Sequence, residues 1–70
     1  MEYVTVVFAE DRQVYIDGQA SGRTNQTLQV ETGTHTFKLG DPQDYSPSSR
    51  RPLVQNTTAI DPMEVTFAKV

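Results

Sequence analysis

The chain has no cysteine and no tryptophan, and its only histidine is His35. Without thiols it can form no disulfide, thiolate metal site, iron–sulfur cluster or cysteine nucleophile. A lone imidazole lacks the second ligand or orienting partner that histidine-based metal and acid–base sites normally use, so no cofactor and no catalysis are expected. No apolar run approaches the roughly 20 residues that a membrane-spanning helix requires. The opening MEYVTVVFAEDR carries no basic region ahead of its apolar stretch, and no membrane insertion is expected. Positive charge is scarce: 6 Lys+Arg stand against 9 Asp+Glu, a net charge of −3, and the basic residues do not gather along one element. Nucleic acid and anionic membranes, which need a concentrated positive surface, are therefore poor partners.

Seventy residues hold one domain, expected over 1–70, near the lower limit at which a core offsets chain entropy without a covalent or metal staple. Location follows from how the chain is used. A natural start at Met1 points to the cytoplasm, and an excised piece is equally at home in the cell envelope or outside the cell.

What the sequence does have is alternation. In EYVTVVF the residues Val4, Val6 and Phe8 share one face, opposite Tyr3, Thr5 and Val7, as in a half-buried strand. QVYID repeats the pattern with Val14 and Ile16, TLQVE with Leu28 and Val30, THTFKL with His35, Phe37 and Leu39, and MEVTFAKV with Met63, Val65 and Phe67. LVQNTTAI adds one short strand before Asp61-Pro62 breaks the chain. Apolar residues nowhere recur at three-and-four spacing for long enough to support a helix.

The turn formers agree. Asp17-Gly18, set between two alternating stretches, predicts a two-residue hairpin, because a type I′ turn needs positive φ at both central residues. Thr32-Gly33 predicts a second hairpin, and Gly22 marks a bend or bulge. GDPQDYSPSSRRP, residues 40–52, reads as a long surface loop with three prolines and little that packs. The fold expected is all-β, a small antiparallel β-sandwich or open barrel of about six strands.

Candidate chemistry is thin. His35 is read as a partly buried ring that bonds to backbone beside a turn. Asp41, Asp44 and Asp61, with Glu10, Asp11 and Asp17, lack the alternating spacing of a calcium loop and read as solvated turns. The tyrosines Tyr3, Tyr15 and Tyr45 are expected outside the core, where an aromatic can anchor a partner or a sugar ring. SPSSRRP is the most suggestive loop: serines beside Arg50-Arg51 suit a phosphate, an acidic partner or a protease. Tyr45, Arg50 and Arg51 are accordingly the candidate binding residues. Asn25-Gln26-Thr27 and Asn56-Thr57-Thr58 match the N-glycosylation pattern and read as incidental.

Taken together, VYIDG at Val14 to Gly18, GRT at Gly22 to Thr24, LQV at Leu28 to Val30, GTH at Gly33 to His35, and Tyr45 resemble the PEGA domain family over roughly half the chain. These are small β modules of mostly bacterial and archaeal proteins, often attached to envelope, surface or signalling proteins. The resemblance implies structural roles for Asp17, Gly18, Gly22, Thr24, Gly33 and His35, and no active site. The chain has AEDR at Ala9 to Arg12 in place of the four residues that name the family, Asn25 where a proline is usual, and Asp44 where a glycine is usual. The function expected is a non-catalytic protein-interaction or spacer module that engages a protein partner or a second copy, as in a homodimer, through edge strands or the 40–52 loop. The alternative is a small domain that binds carbohydrate or phosphate through that loop.

Overall fold

The computed structural model describes residues 1–70 and contains strands but no helix. Ten strands follow one another: β1 (Glu2–Val7), β2 (Gln13–Ile16), β3 (Gln19–Arg23), β4 (Thr27–Val30), β5 (Gly33–Thr34), β6 (Phe37–Leu39), β7 (Tyr45–Ser46), β8 (Leu53–Val54), β9 (Met63–Thr66) and β10 (Ala68–Lys69). Six of them are three or more residues long, which matches the strand count read from sequence. The other four are two-residue pairings that tie down loops.

One sheet has the order β4-β1-β9, with β4 antiparallel and β9 parallel to β1. A second has the order β3-β2-β6 and is antiparallel throughout. Two-stranded pairs β10-β7 and β5-β8 complete the ladder. The two larger sheets bury their alternating faces against each other, in a sandwich-like arrangement. Val4, Val6, Val30 and Val65 from the first meet Val14, Ile16, Phe37 and Leu39 from the second in one cluster, with Phe8, Tyr45, Val54 and Phe67. Leu28 and Met63 pack at its margin.

Asp17-Gly18 forms the expected turn, with φ of 53° and 84°, and joins Ile16 to its partner Gln19. Farther along, Val14 pairs with Gly22 and Tyr15 with Ala20, so Ser21 is an extra residue and β3 is bulged. Gly22 at φ 144° is part of this bulge, and a methyl group built on it would stand 2.5 Å from Leu28 Cδ2. That close approach seats β3 of one sheet against β4 of the other.

The second hairpin does not form. Gly33 does take positive φ, at 136°, but β4 pairs with β1 while β5 pairs with β8, so the chain crosses between sheets at Thr32-Gly33 instead of reversing within one. The strand expected over 34–39 is interrupted at His35-Thr36 for the same reason: its first part serves β8 and its second part β2. The 40–52 segment packs more than its composition suggested. Tyr45 is buried, its ring stands edge-on to Phe8 and Phe67 at 6.2 and 5.6 Å, and its hydroxyl donates to the Leu39 carbonyl at 2.7 Å. An aromatic with one buried polar partner is core, not a docking platform.

Candidate interaction edge

The three residues singled out in the 40–52 loop do not share a surface. Tyr45 is in the core. Arg50 closes one flank of the sandwich: its backbone exchanges two hydrogen bonds with Phe37, at 2.7 and 2.9 Å, and its Nε donates to the Thr66 carbonyl at 2.7 Å. One residue thus pairs with the outer side of β6 and covers the end of β9. Arg51 is exposed and near enough to Asp17 to help hold that carboxyl below its usual range, after the Thr36 N–H and His35.

The start of the same loop is held by charge. Arg12 donates to Asp44 Oδ2 at 2.8 Å, to Glu10 Oε1 at 2.8 Å and to the Pro42 carbonyl at 3.1 Å, with its guanidinium 5.5 Å from the Phe8 ring centre. Lys69 reaches the same two carboxylates, at 2.8 and 3.0 Å. Arg12 foremost, then Lys69, lowers the Asp44 carboxyl to about 2. The β1–β2 loop, the 40–52 loop and β10 are thereby fastened together. A shallow groove of about 230 Å³ lies beside this region, lined by Tyr15, Gly18, Lys38, Leu39, Gly40 and Asp41.

The turn residues act as braces. Thr24, buried, accepts the Arg12 N–H at 2.9 Å and donates to the Glu10 carbonyl at 2.7 Å, fixing the β1–β2 loop. His35 places Nδ1 2.7 Å from Asp17 Oδ2 and Nε2 2.6 Å from the Glu31 carbonyl. Both neighbours only accept, so both ring nitrogens must donate, which is the imidazolium form. Asp17 first, then the Glu31 carbonyl, raises the His35 pKa above its ordinary value. Asp17 in turn accepts the Thr36 N–H at 3.0 Å, so hairpin turn and crossover are locked together.

Asn25 takes a left-handed backbone, φ 63°, that proline cannot adopt. Its carboxamide accepts the Phe8 N–H at 3.2 Å and donates to the Phe8 carbonyl at 3.0 Å, as a strand residue would, while its own N–H donates to the Val6 carbonyl at 2.7 Å.

These bonds orient the β1 ladder. Val6 and Phe8 turn their polar groups toward β4, whereas the Tyr3 N–H bonds Thr57 Oγ1 at 2.7 Å and the Val7 carbonyl accepts from Phe67, on the β9 side. Even-numbered residues of β1 therefore serve β4, and Glu2↔Val30 and Val4↔Leu28 are its hydrogen-bonded pairs. By the same alternation Thr27 and Gln29 direct their N–H and C=O groups outward, along an edge that no other strand occupies. Thr27-Leu28-Gln29-Val30 contains no charge, proline or bulge. By contrast β3, one edge of the other sheet, is bulged at Ser21 and carries Arg23 in a two-contact pair with Asp11 at 3.0 Å. Bulges and charges are ordinary means of blunting an edge, and β4 has neither.

A family model described as PEGA domain matches residues 9–59, about 50 of the 70. The chain belongs to the PEGA domain family. Neither a search of curated proteins nor one of solved structures found a match. The PEGA match spans β2 to β8 and takes in Thr24, His35 and Asp17, the braces described above. It also covers β4, whose edge character was not singled out from sequence. The run Thr24 to Val30 carries no charge, but neither do Tyr3 to Ala9 and Pro52 to Ile60, so the sequence alone did not set this edge apart.

Proposed function

We propose that this PEGA domain is a non-catalytic interaction module that engages its partner by adding a strand to the outer edge of β4. The open edge carries the reading: two residues, Thr27 and Gln29, offer paired donors and acceptors in register on an unblunted strand. The ionisable groups support it as well. Glu10, Arg12, Asp44 and Lys69 pair with one another, leaving only the buried Asp44 Oδ1 without a partner, and both nitrogens of His35 are engaged in holding a turn.

Gln29→Pro tests the edge. The substitution removes an outward N–H and leaves the β1 ladder intact, and proline is tolerated on edge strands in that orientation. The folded variant is expected to lose proteins that the unaltered chain captures from its own cell, or to lose its self-association. Identical capture and identical mass for the two chains would refute strand addition. A thermal-shift screen with sugars and phosphates addresses the loop-ligand alternative, since a specific ligand must raise the melting temperature by linkage.

A further inference from the structure

We infer that the strand added at β4 is β4 of a second copy, paired antiparallel about a two-fold axis at Leu28. The inference rests on the edge-addition reading and fixes its partner. Only some registers are open to it. The two-fold cannot fall between residues, because an outward residue would then face an inward one. An axis at Gln29 would call on the Glu31 carbonyl, which already accepts from His35 Nε2 at 2.6 Å. An axis at Leu28 uses every free group: Thr27 meets the partner's Gln29, and Gln29 meets the partner's Thr27, giving four backbone hydrogen bonds.

Side chains agree with this register. Leu28, half-buried against the core margin, meets the partner's Leu28 as a close non-hydrogen-bonded pair and carries the apolar layer across the axis. Thr27 and Gln29, both exposed, form polar cross-strand pairs on the other face. No charged residue lies between Thr24 and Val30, so no like charges meet. Glu31 falls opposite the partner's Asn25 and not opposite itself.

The test uses the whole chain and two readouts. Light scattering coupled to size exclusion, from micromolar to near-millimolar protein, is expected to show a dimer that grows with concentration. Gln29→Pro should weaken it about tenfold or more, as two hydrogen bonds are lost. Because the chain has no cysteine, Thr27→Cys and Gln29→Cys give a clean register test at exposed positions. An equal mixture should cross-link on mild oxidation, since hydrogen-bonded antiparallel pairs lie about 5.5 Å apart at Cα, within disulfide reach. Each variant alone should not. A monomer at every concentration overturns the proposal; if Gln29→Pro then still abolishes capture of another protein, edge addition stands with a different partner. Self-cross-linking of either variant in preference to the mixture overturns the register. A dimer indifferent to Gln29→Pro overturns the proposal, and overturns edge addition as well when capture is equally unchanged.

Discussion

Replacing Asn25 with the proline usual in the PEGA family should be strongly destabilising here, although a step toward consensus ordinarily stabilises by about 0.5–2 kcal/mol. The structure gives three reasons. Proline is locked near φ −65°, and Asn25 sits at φ 63°. Its N–H, which donates to the Val6 carbonyl, would be gone. Its carboxamide, which meets both polar groups of Phe8, would be gone as well, leaving a part-buried N–H and C=O without partners. Each unsatisfied group costs about 1–3 kcal/mol, and the backbone conflict adds about 3 kcal/mol or more. A chain of this length has a total stability of about 4–10 kcal/mol, so Asn25→Pro should be mostly unfolded or barely stable in a denaturant titration. Asn25→Gly keeps the left-handed backbone and loses only the side-chain bonds, for about 2–6 kcal/mol, or a melting temperature lower by roughly 8 °C or more. A proline variant as stable as the parent would refute the reasoning, since the segment would then follow the family's own path at this point. Equal losses for proline and glycine would assign the effect to the carboxamide and not to the dihedral.

Gly22→Ala should cost about 2–4 kcal/mol by denaturant titration, from the positive φ and the overlap with Leu28 Cδ2 at 2.5 Å; a neutral result would show that β3 can shift away from β4. Tyr45→Phe keeps the ring packing and leaves the Leu39 carbonyl without its donor, for a loss of about 1–2 kcal/mol; a null result would place the hydroxyl in water. His35 has a folded pKa raised above its unfolded value, so its contribution is complete below about pH 6.5 and disappears as pH rises through the folded value. Melting temperature should fall across that interval in the parent and stay flat in His35→Gln, and a flat parent profile would count against the doubly donating ring.

Alternation along each strand made the core faces legible in the sequence: Val4, Val6, Phe8, Val14, Ile16, Phe37, Leu39, Val65 and Phe67 are all buried where the pattern placed them. Tyr45 was not legible, because nothing around it alternates. It is drawn inward by two rings and one carbonyl distant in sequence, and the prolines around it disguised the segment as solvent-facing. Thr32-Gly33 misled for a related reason. A glycine with positive φ specifies a sharp change of direction, but whether the chain returns to its own sheet or crosses to the other depends on which edge is vacant, and β1 had already taken β4. Arg50 has the same dual nature: beside serines and a second arginine it reads as a ligand site, whereas its backbone is needed to complete β6 and its side chain to cover Thr66.

The placement of these devices also fixes how far association can go. A molecule with two open edges adds copies without end, whereas one with a single open edge stops when that edge is paired with itself. Here β6 is continued by Arg50 at the flank where Arg50 also covers the end of β9, and β3 is bent by the Ser21 bulge and the Gly22 backbone. The remaining edge, β9, carries Glu64 and gives its Thr66 carbonyl to Arg50. Among the edge strands of the two larger sheets only β4 is straight and uncharged, with its limits set at one end by the Asn25 carboxamide and at the other by His35 on the Glu31 carbonyl. The family's turn and brace positions therefore do more than hold a sandwich closed. On the proposed strand addition at β4, an open stretch limited to Thr27 and Gln29 is long enough for one specific pairing and too short for a slipped one, and addition would close at two chains instead of continuing into a fibre.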